Sequence, residues 1–264
     1  MERRQFLKTV LIGAAASIIP ISDSKREVSN ARPDSQVETF AAKEVCNGDV
    51  DKVVKPFGSV VYRTEGMPNG NTIVTIKMIH NSKSFPQLKA QVNELQRDIF
   101  EIGKKLVGAG IKRIGGEGFD PGDVKKEELI AGGFGQTSYS FANLEIYFDE
   151  ELESFGYDRK DLLQKTYQLL REGKAIEALK INPERARGMV GNVVNKVNET
   201  RDSCLAIIAG GDHMEKEGEP EIREFVDHVN FMQLFEEKGF NVIVVEPRTY
   251  QFLSEQVKKL KFVD

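Results

Sequence analysis

Three stretches of the 264-residue chain end in residues able to do chemistry. The run "NTIVTIKMI" ends at His80, "IKRIGG" ends at Glu117, and "CLAIIAG" leads into Gly210-Gly211-Asp212-His213. Two imidazoles and a carboxylate gathered in one place can bind a divalent metal. They can equally supply the base and acid of a hydrolysis. Gly210 and Gly211 would then let a substrate approach the backbone closely and offer N–H donors to an oxyanion. Each residue also has a plain use: His80 can finish a strand, Glu117 can pair with Lys112 or Arg113, and a double glycine can be a turn. What joins them is position, since all three groups follow strand-forming runs. The remaining histidine, His228 in "REFVDHVNFMQLF", falls mid-helix among apolar neighbours and reads as structural.

Arginine is the other reagent to place, because its guanidinium clamps anionic groups bidentately. A helix is expected from Asn182 as N-cap and Pro183 at the first helical position. Its sequence "ERARGMVGNVVNKV" carries an apolar stripe of Ala186, Met189, Val190, Val193 and Val197. Arg185 and Arg187 flank opposite borders of that stripe, so periodicity does not choose between them.

The elements that must position these groups alternate along the chain. Strands are expected at 59–65, 71–79, 111–116, 204–209 and 240–246, and the turn-rich "GMPNG" between the first two predicts a hairpin. A long helix follows, with Ser84 as N-cap, Pro86 in its first turn, and Leu88, Val92, Leu95, Ile99, Ile102 and Leu106 at helical spacing. Gly108 and Gly110 stop it. Residues 118–140 read as an extended glycine-rich loop with a short helix near 124–131. Two or three helices fill 146–199, another lies around 219–238, and a last one closes the chain. This order predicts an α/β fold: a mostly parallel central sheet with an N-terminal antiparallel hairpin, flanked by helices. Ligands of such sheets gather at the carboxyl ends of the strands, which would bring His80, Glu117 and His213 to one rim.

The first fifty residues differ from the rest. "MERRQFLKTVLIGAAASIIPIS" resembles a twin-arginine export signal, matching R-R-x-F-L-K at every position. Its apolar run is shorter than the roughly 20 residues of a comfortable membrane span, so residues 1–22 read as a signal, cleaved or kept as an anchor. Export would make the protein extracytoplasmic and allow membrane association through this segment. Residues 23–52 form a polar lead-in or tether, and 53–264 a single domain. With 37 basic and 41 acidic side chains and no basic block, nucleic acid is not the expected partner. The partner expected is a small-molecule or peptide substrate. Cys46 and Cys204 could pair after export, but one sits in the polar lead-in and the other in a strand pattern, so they read as unpaired.

The order of motifs resembles the superfamily that groups TraB/PrgY/GumN proteins, Tiki proteases, erythromycin esterases and ChaN-like haem-binding lipoproteins. The resemblance spans about residues 71–247 and rests on Glu184-Arg185-x-x-x-Met189 followed by Gly-x-x-His at 210–213. It implies a site of His80, Glu117, Arg185 and His213, and so selects Arg185 over Arg187. Lys77 stands where the first Gly-x-x-His pattern has glycine, and Glu117 stands alone where relatives have adjacent acids, with Asp120 a candidate second. The family includes metal-dependent proteases, metal-independent esterases and ligand-binding proteins. The expectation is therefore an exported hydrolase of ester or amide bonds. His80, His213 and Glu117 would hold a divalent metal, or a histidine would act as base while Glu117 activates water and Arg185 holds an anionic group. The rival classes are a non-catalytic binder of haem, metal or peptide at the cell surface, and a partner-binding protein with a degenerate site.

Overall fold

The computed structural model describes residues 50–68, 70–79, 86–124, 139–148, 151–215 and 229–261. His80, His228, Ser84, Cys46, the twin-arginine segment and the expected helix near 124–131 lie outside the described residues. No described helix is long and apolar enough to cross a membrane.

The fold is α/β, built on a seven-stranded, mostly parallel mixed sheet. The strands are β1 (Gly58–Arg63), β2 (Thr72–Met78), β3 (Arg113–Gly116), β4 (Gly122–Asp123), β5 (Glu153–Gly156), β6 (Cys204–Gly210) and β7 (Asn241–Pro247). Their order is β1-β7-β2-β6-β3-β5-β4. The strands β7, β2, β6, β3 and β5 are parallel neighbours, while β1 and β4 close the two edges antiparallel. The antiparallel N-terminal strand is present, but its partner is β7, which lies between β1 and β2. The turn after β1 therefore reverses the chain without pairing it to the next strand.

Helices cover both faces, and the strand alternation decides which residues meet which layer. On the first face lie α1 (Val50–Val54), α2 (Lys89–Gly108), α3 (Tyr139–Phe148) and α8 (Tyr250–Lys261). They pack against Val74, Ile76, Ala206, Ile208, Ile243 and Val245. All six apolar residues expected to form the stripe of α2 are buried. On the second face α6 (Asn182–Thr200) and α7 (Phe231–Glu237) cover Ile73, Leu205, Ile207, Ala209, Val242 and Val244. The buried set of α6 is Ala186, Met189, Val190, Val193 and Val197, the stripe expected from its periodicity.

Three local readings change. Asn182 is the first helical residue of α6 and not its cap, because the preceding residue Ile181 already has helical torsions. The globular unit reaches at least to Val50, which is fully buried together with Val54. The region 146–199 is interrupted by β5, a four-residue strand between α3 and the helices α4 (Lys160–Arg171) and α5 (Ala175–Leu179).

Candidate functional site

Glu117 follows β3 directly, and its direction follows from the pleat. Ile114 faces the first layer, so the residue three further on turns to the second, toward α6. Because α6 leads into β6, its N-terminus lies at the carboxyl edge of the sheet, and Arg185 is in its first turn. The side chains meet there. Arg185 Nη2 donates to Glu117 Oε1 at 2.9 Å, and Glu117 Oε2 accepts the Gly210 backbone N–H at 2.7 Å. His213 Nε2 lies 3.4 Å from the same Oε1. Arg187, by contrast, is exposed on the outer side of α6.

A second acid completes the group, and it comes from the strand that periodicity did not reveal. Asp158 follows β5 and is fully buried. Arg185 donates to it from Nε at 2.8 Å and from Nη2 at 2.6 Å. The backbone N–H groups of Gly118 and Arg159 donate to the same carboxylate at 3.0 and 2.7 Å. Gly118 has φ +92°, a left-handed conformation that glycine adopts without strain, and it bends the chain after Glu117 over the end of β5. Asp120, the expected second acid, is instead a mostly exposed side chain 3.6 Å from Lys160. The available signal for Asp158 was "SFGYD", in which Phe155 and Tyr157 are strand-forming aromatics on either side of Gly156.

Arg185 is sunk between these two carboxylates. Burial alone would lower its pKa, but the charges of Glu117 and Asp158 and their hydrogen bonds outweigh that and raise it above the ordinary value. It is a permanent cation. Beneath the group, Tyr157 is fully buried and donates its hydroxyl to the Ile208 carbonyl at 2.8 Å. Burial first, and then the negative charges of Glu117 and Asp158, raise its pKa well above the usual phenol value, so it stays neutral. Asn192 on α6 donates to the Tyr157 carbonyl at 3.0 Å and fixes the helix against the end of β5.

His213 arrives on the 3-10 turn Gly211–Met214 after β6. Its ring stacks on Phe231, the first residue of α7, with centroids 4.5 Å apart and planes 14° from parallel. Stacking on one side and Glu117 at the ring edge leave the side chain 18% exposed. The next described helix after β3 is α3 on the first face, and after β6 it is α7 on the second. Glu117 and His213 thus sit where adjacent connections diverge, the place where open α/β sheets form a crevice.

The two glycines do other work than expected. Gly210 gives its N–H to Glu117, so that donor is already used. Gly211 is buried, and a Cβ there would fall 1.6 Å from the Tyr250 hydroxyl oxygen. Its size makes room for Tyr250, which α8 holds in place through its start: buried Asp98 on α2 accepts from the Thr249 N–H at 3.2 Å, the Thr249 hydroxyl at 3.0 Å and Arg248 at 2.9 Å.

The structure thus brings Glu117, Arg185, Gly210 and His213 together. A divalent metal fits the described donors poorly. Glu117 and His213 are the two candidate ligands, the carboxylate already faces a guanidinium at 2.9 Å, and a like charge nearby opposes a second cation. Among the described residues no group of three or more His, Cys, Asp or Glu could hold a metal. Compared with known families, curated proteins and solved structures, the chain matches none.

Proposed function

We propose that the chain is an exported hydrolase of ester or amide bonds, with His213 as general base at the β3–β6 rim. The observation that carries this reading is the shared oxygen of Glu117, which meets Arg185 at 2.9 Å and His213 at 3.4 Å. A carboxylate paired with a guanidinium is a weak base, so Glu117 orients the imidazole and does not itself activate water. With Nε2–H directed at Glu117, the lone pair falls on Nδ1. Nδ1 takes a proton from water as the oxygen attacks the substrate carbonyl, and the imidazolium returns that proton to the leaving group. The carbonyl oxygen then carries the charge. Arg185 donates to carboxylates from Nε and Nη2, while its Nη1 donates to none of the described residues, leaving two N–H groups for that oxyanion. The resemblance at "ERARGM" and "GGDH" to a superfamily of proteases, esterases and ligand-binding proteins supports these residues as the site, and the R-R-x-F-L-K opening supports export.

The test uses full-length protein purified without a histidine tag, with metal content measured, assayed on uncharged aryl esters and anilides before and after chelation. Hydrolysis that survives chelation is the expected result. Loss of activity on chelation, restored by a divalent metal, would replace this reading with the metal-dependent one. Absence of hydrolysis toward every ester and amide would favour a ligand-binding role.

A further inference from the structure

Among the described residues, the His213 ring is held at two places. Its Nε2 lies 3.4 Å from Glu117 Oε1, which is long for a hydrogen bond and fixes one point of the ring without fixing its plane. The torsion that turns a histidine ring is broad and two-fold, so rotamer preference does not supply the plane either. Phe231 does. Its ring lies 14° from parallel to the imidazole with centroids 4.5 Å apart, so the imidazole rests on a flat face. That face is itself fixed. Phe231 is 1% exposed, and Phe235, one turn further along α7, packs edge-on against it at 6.1 Å and 84°. Asn230 caps α7: its side-chain oxygen accepts the Gln233 N–H at 2.8 Å, which sets where the helix begins and so where Phe231 stands. A phenylalanine that only filled the core would have no reason to lie flat on His213, because aromatic neighbours meet edge-on as readily.

Building on the hydrolase reading, we propose that Phe231 is a positioning residue of that reaction. Its ring sets the imidazole plane so that Nε2 stays on Glu117 while Nδ1, which bonds none of the described residues, presents its lone pair to the attacking water. That lone pair lies in the ring plane, so a tilt of the imidazole turns it off the O–H bond. Reacting groups must be held within about 10–20° of the productive direction. Phe231 acts through His213 alone, so its loss slows proton transfer and leaves substrate binding as it is.

The full-length protein is assayed on an uncharged aryl ester and an anilide, comparing wild type with Phe231→Leu, Phe231→Met and Phe240→Leu below all their unfolding transitions. Phe240 is the control: it is buried in the same core cluster but follows the far end of α7. In both Phe231 variants kcat is expected to fall about tenfold or more, part of the 10²–10⁴-fold that a positioned base supplies, with KM changed less than about twofold. Phe240→Leu is destabilised as a large-to-small core change but should keep kcat within about twofold. A second readout needs neither catalysis nor a change at Phe231. The chain has three histidines, so in protein carrying isotope-labelled histidine the His213→Ala variant identifies the imidazole signals of His213. Their ring protons are expected upfield of the free-histidine positions, displaced by the ring current of Phe231. Undisplaced His213 protons, or Phe231 variants that lose no more kcat than Phe240→Leu, overturn the positioning role and leave the hydrolase reading standing. Displaced protons in a wild type that hydrolyses neither ester nor anilide keep the stack but overturn the hydrolase reading, and the positioning role with it.

Discussion

Glu117, Arg185 and Asp158 stand or fall together, because the two acids are buried, the Arg185 side chain between them is only 12% exposed, and each charge neutralises another. Removing one member of a buried ion pair strands the charge of its partner, at a cost of about 3–5 kcal/mol. Arg185→Met is accordingly expected to lower stability by about that amount in urea or guanidinium unfolding, since two carboxylates lose their counter-charge. Arg185→Lys should recover part of it and not all, because an ammonium cannot serve Glu117 and both oxygens of Asp158 with one planar fork. A loss below about 1 kcal/mol for Arg185→Met, the range of exposed pairs, would mean the guanidinium is not buried between them. Glu117 and His213 were legible in the sequence because one directly follows a strand-forming run and the other comes within three residues of one, and the rim of the sheet is where such residues land. Arg185 needed the motif resemblance, since the helical wheel placed it and Arg187 symmetrically. Asp158 was not legible: it follows a strand too short to establish alternation, and its neighbours read as helix.

At the scale of elements, the α6 and α2 stripes could be read in advance because both helices are long and bury one face. Strand partners could not. A turn such as "GMPNG" specifies that the chain reverses, but the place beside β1 goes to β7, more than 170 residues later in the chain. The contact between the 3-10 turn after β6 and α8, at Gly211, is of the same long-range kind. Gly211→Ala is expected to destabilise by about 1–3 kcal/mol, the usual cost of forcing extra volume into a packed site, because the new Cβ collides with the Tyr250 hydroxyl. Removing that hydroxyl should relieve the worst of the collision, although the ring carbons Cζ and Cε2, at 2.4 and 2.8 Å from the new Cβ, remain. In a double-mutant cycle Gly211→Ala costs less in a Tyr250→Phe background, and the difference is the coupling between the two elements. Equal costs in both backgrounds would show that the glycine is needed for some other reason.

The whole molecule is a two-faced sheet closed at one edge by β1, whose Tyr62 donates to Glu236 of α7. That hydrogen bond, then burial and the charge of Glu236, raise the Tyr62 pKa to about 12. A phenol whose pKa is higher folded than unfolded stabilises the fold fully below its unfolded value, near 10, and loses that contribution as pH rises through about 12. Unfolding measured from pH 9 to 12 should therefore show a loss of stability above pH 10 that is smaller in Tyr62→Phe, and identical slopes would contradict it. The sheet's central role is to carry Glu117, Asp158 and His213 to one edge and set Arg185 among them. The most direct test of the resulting site compares kcat/KM of metal-stripped wild type and His213→Ala on one uncharged aryl ester, with both proteins shown to be folded by their unfolding transitions. The expected result is a fall of about 10²–10⁴-fold, the contribution of a positioned general base. Undiminished hydrolysis by a folded His213→Ala protein would contradict the account.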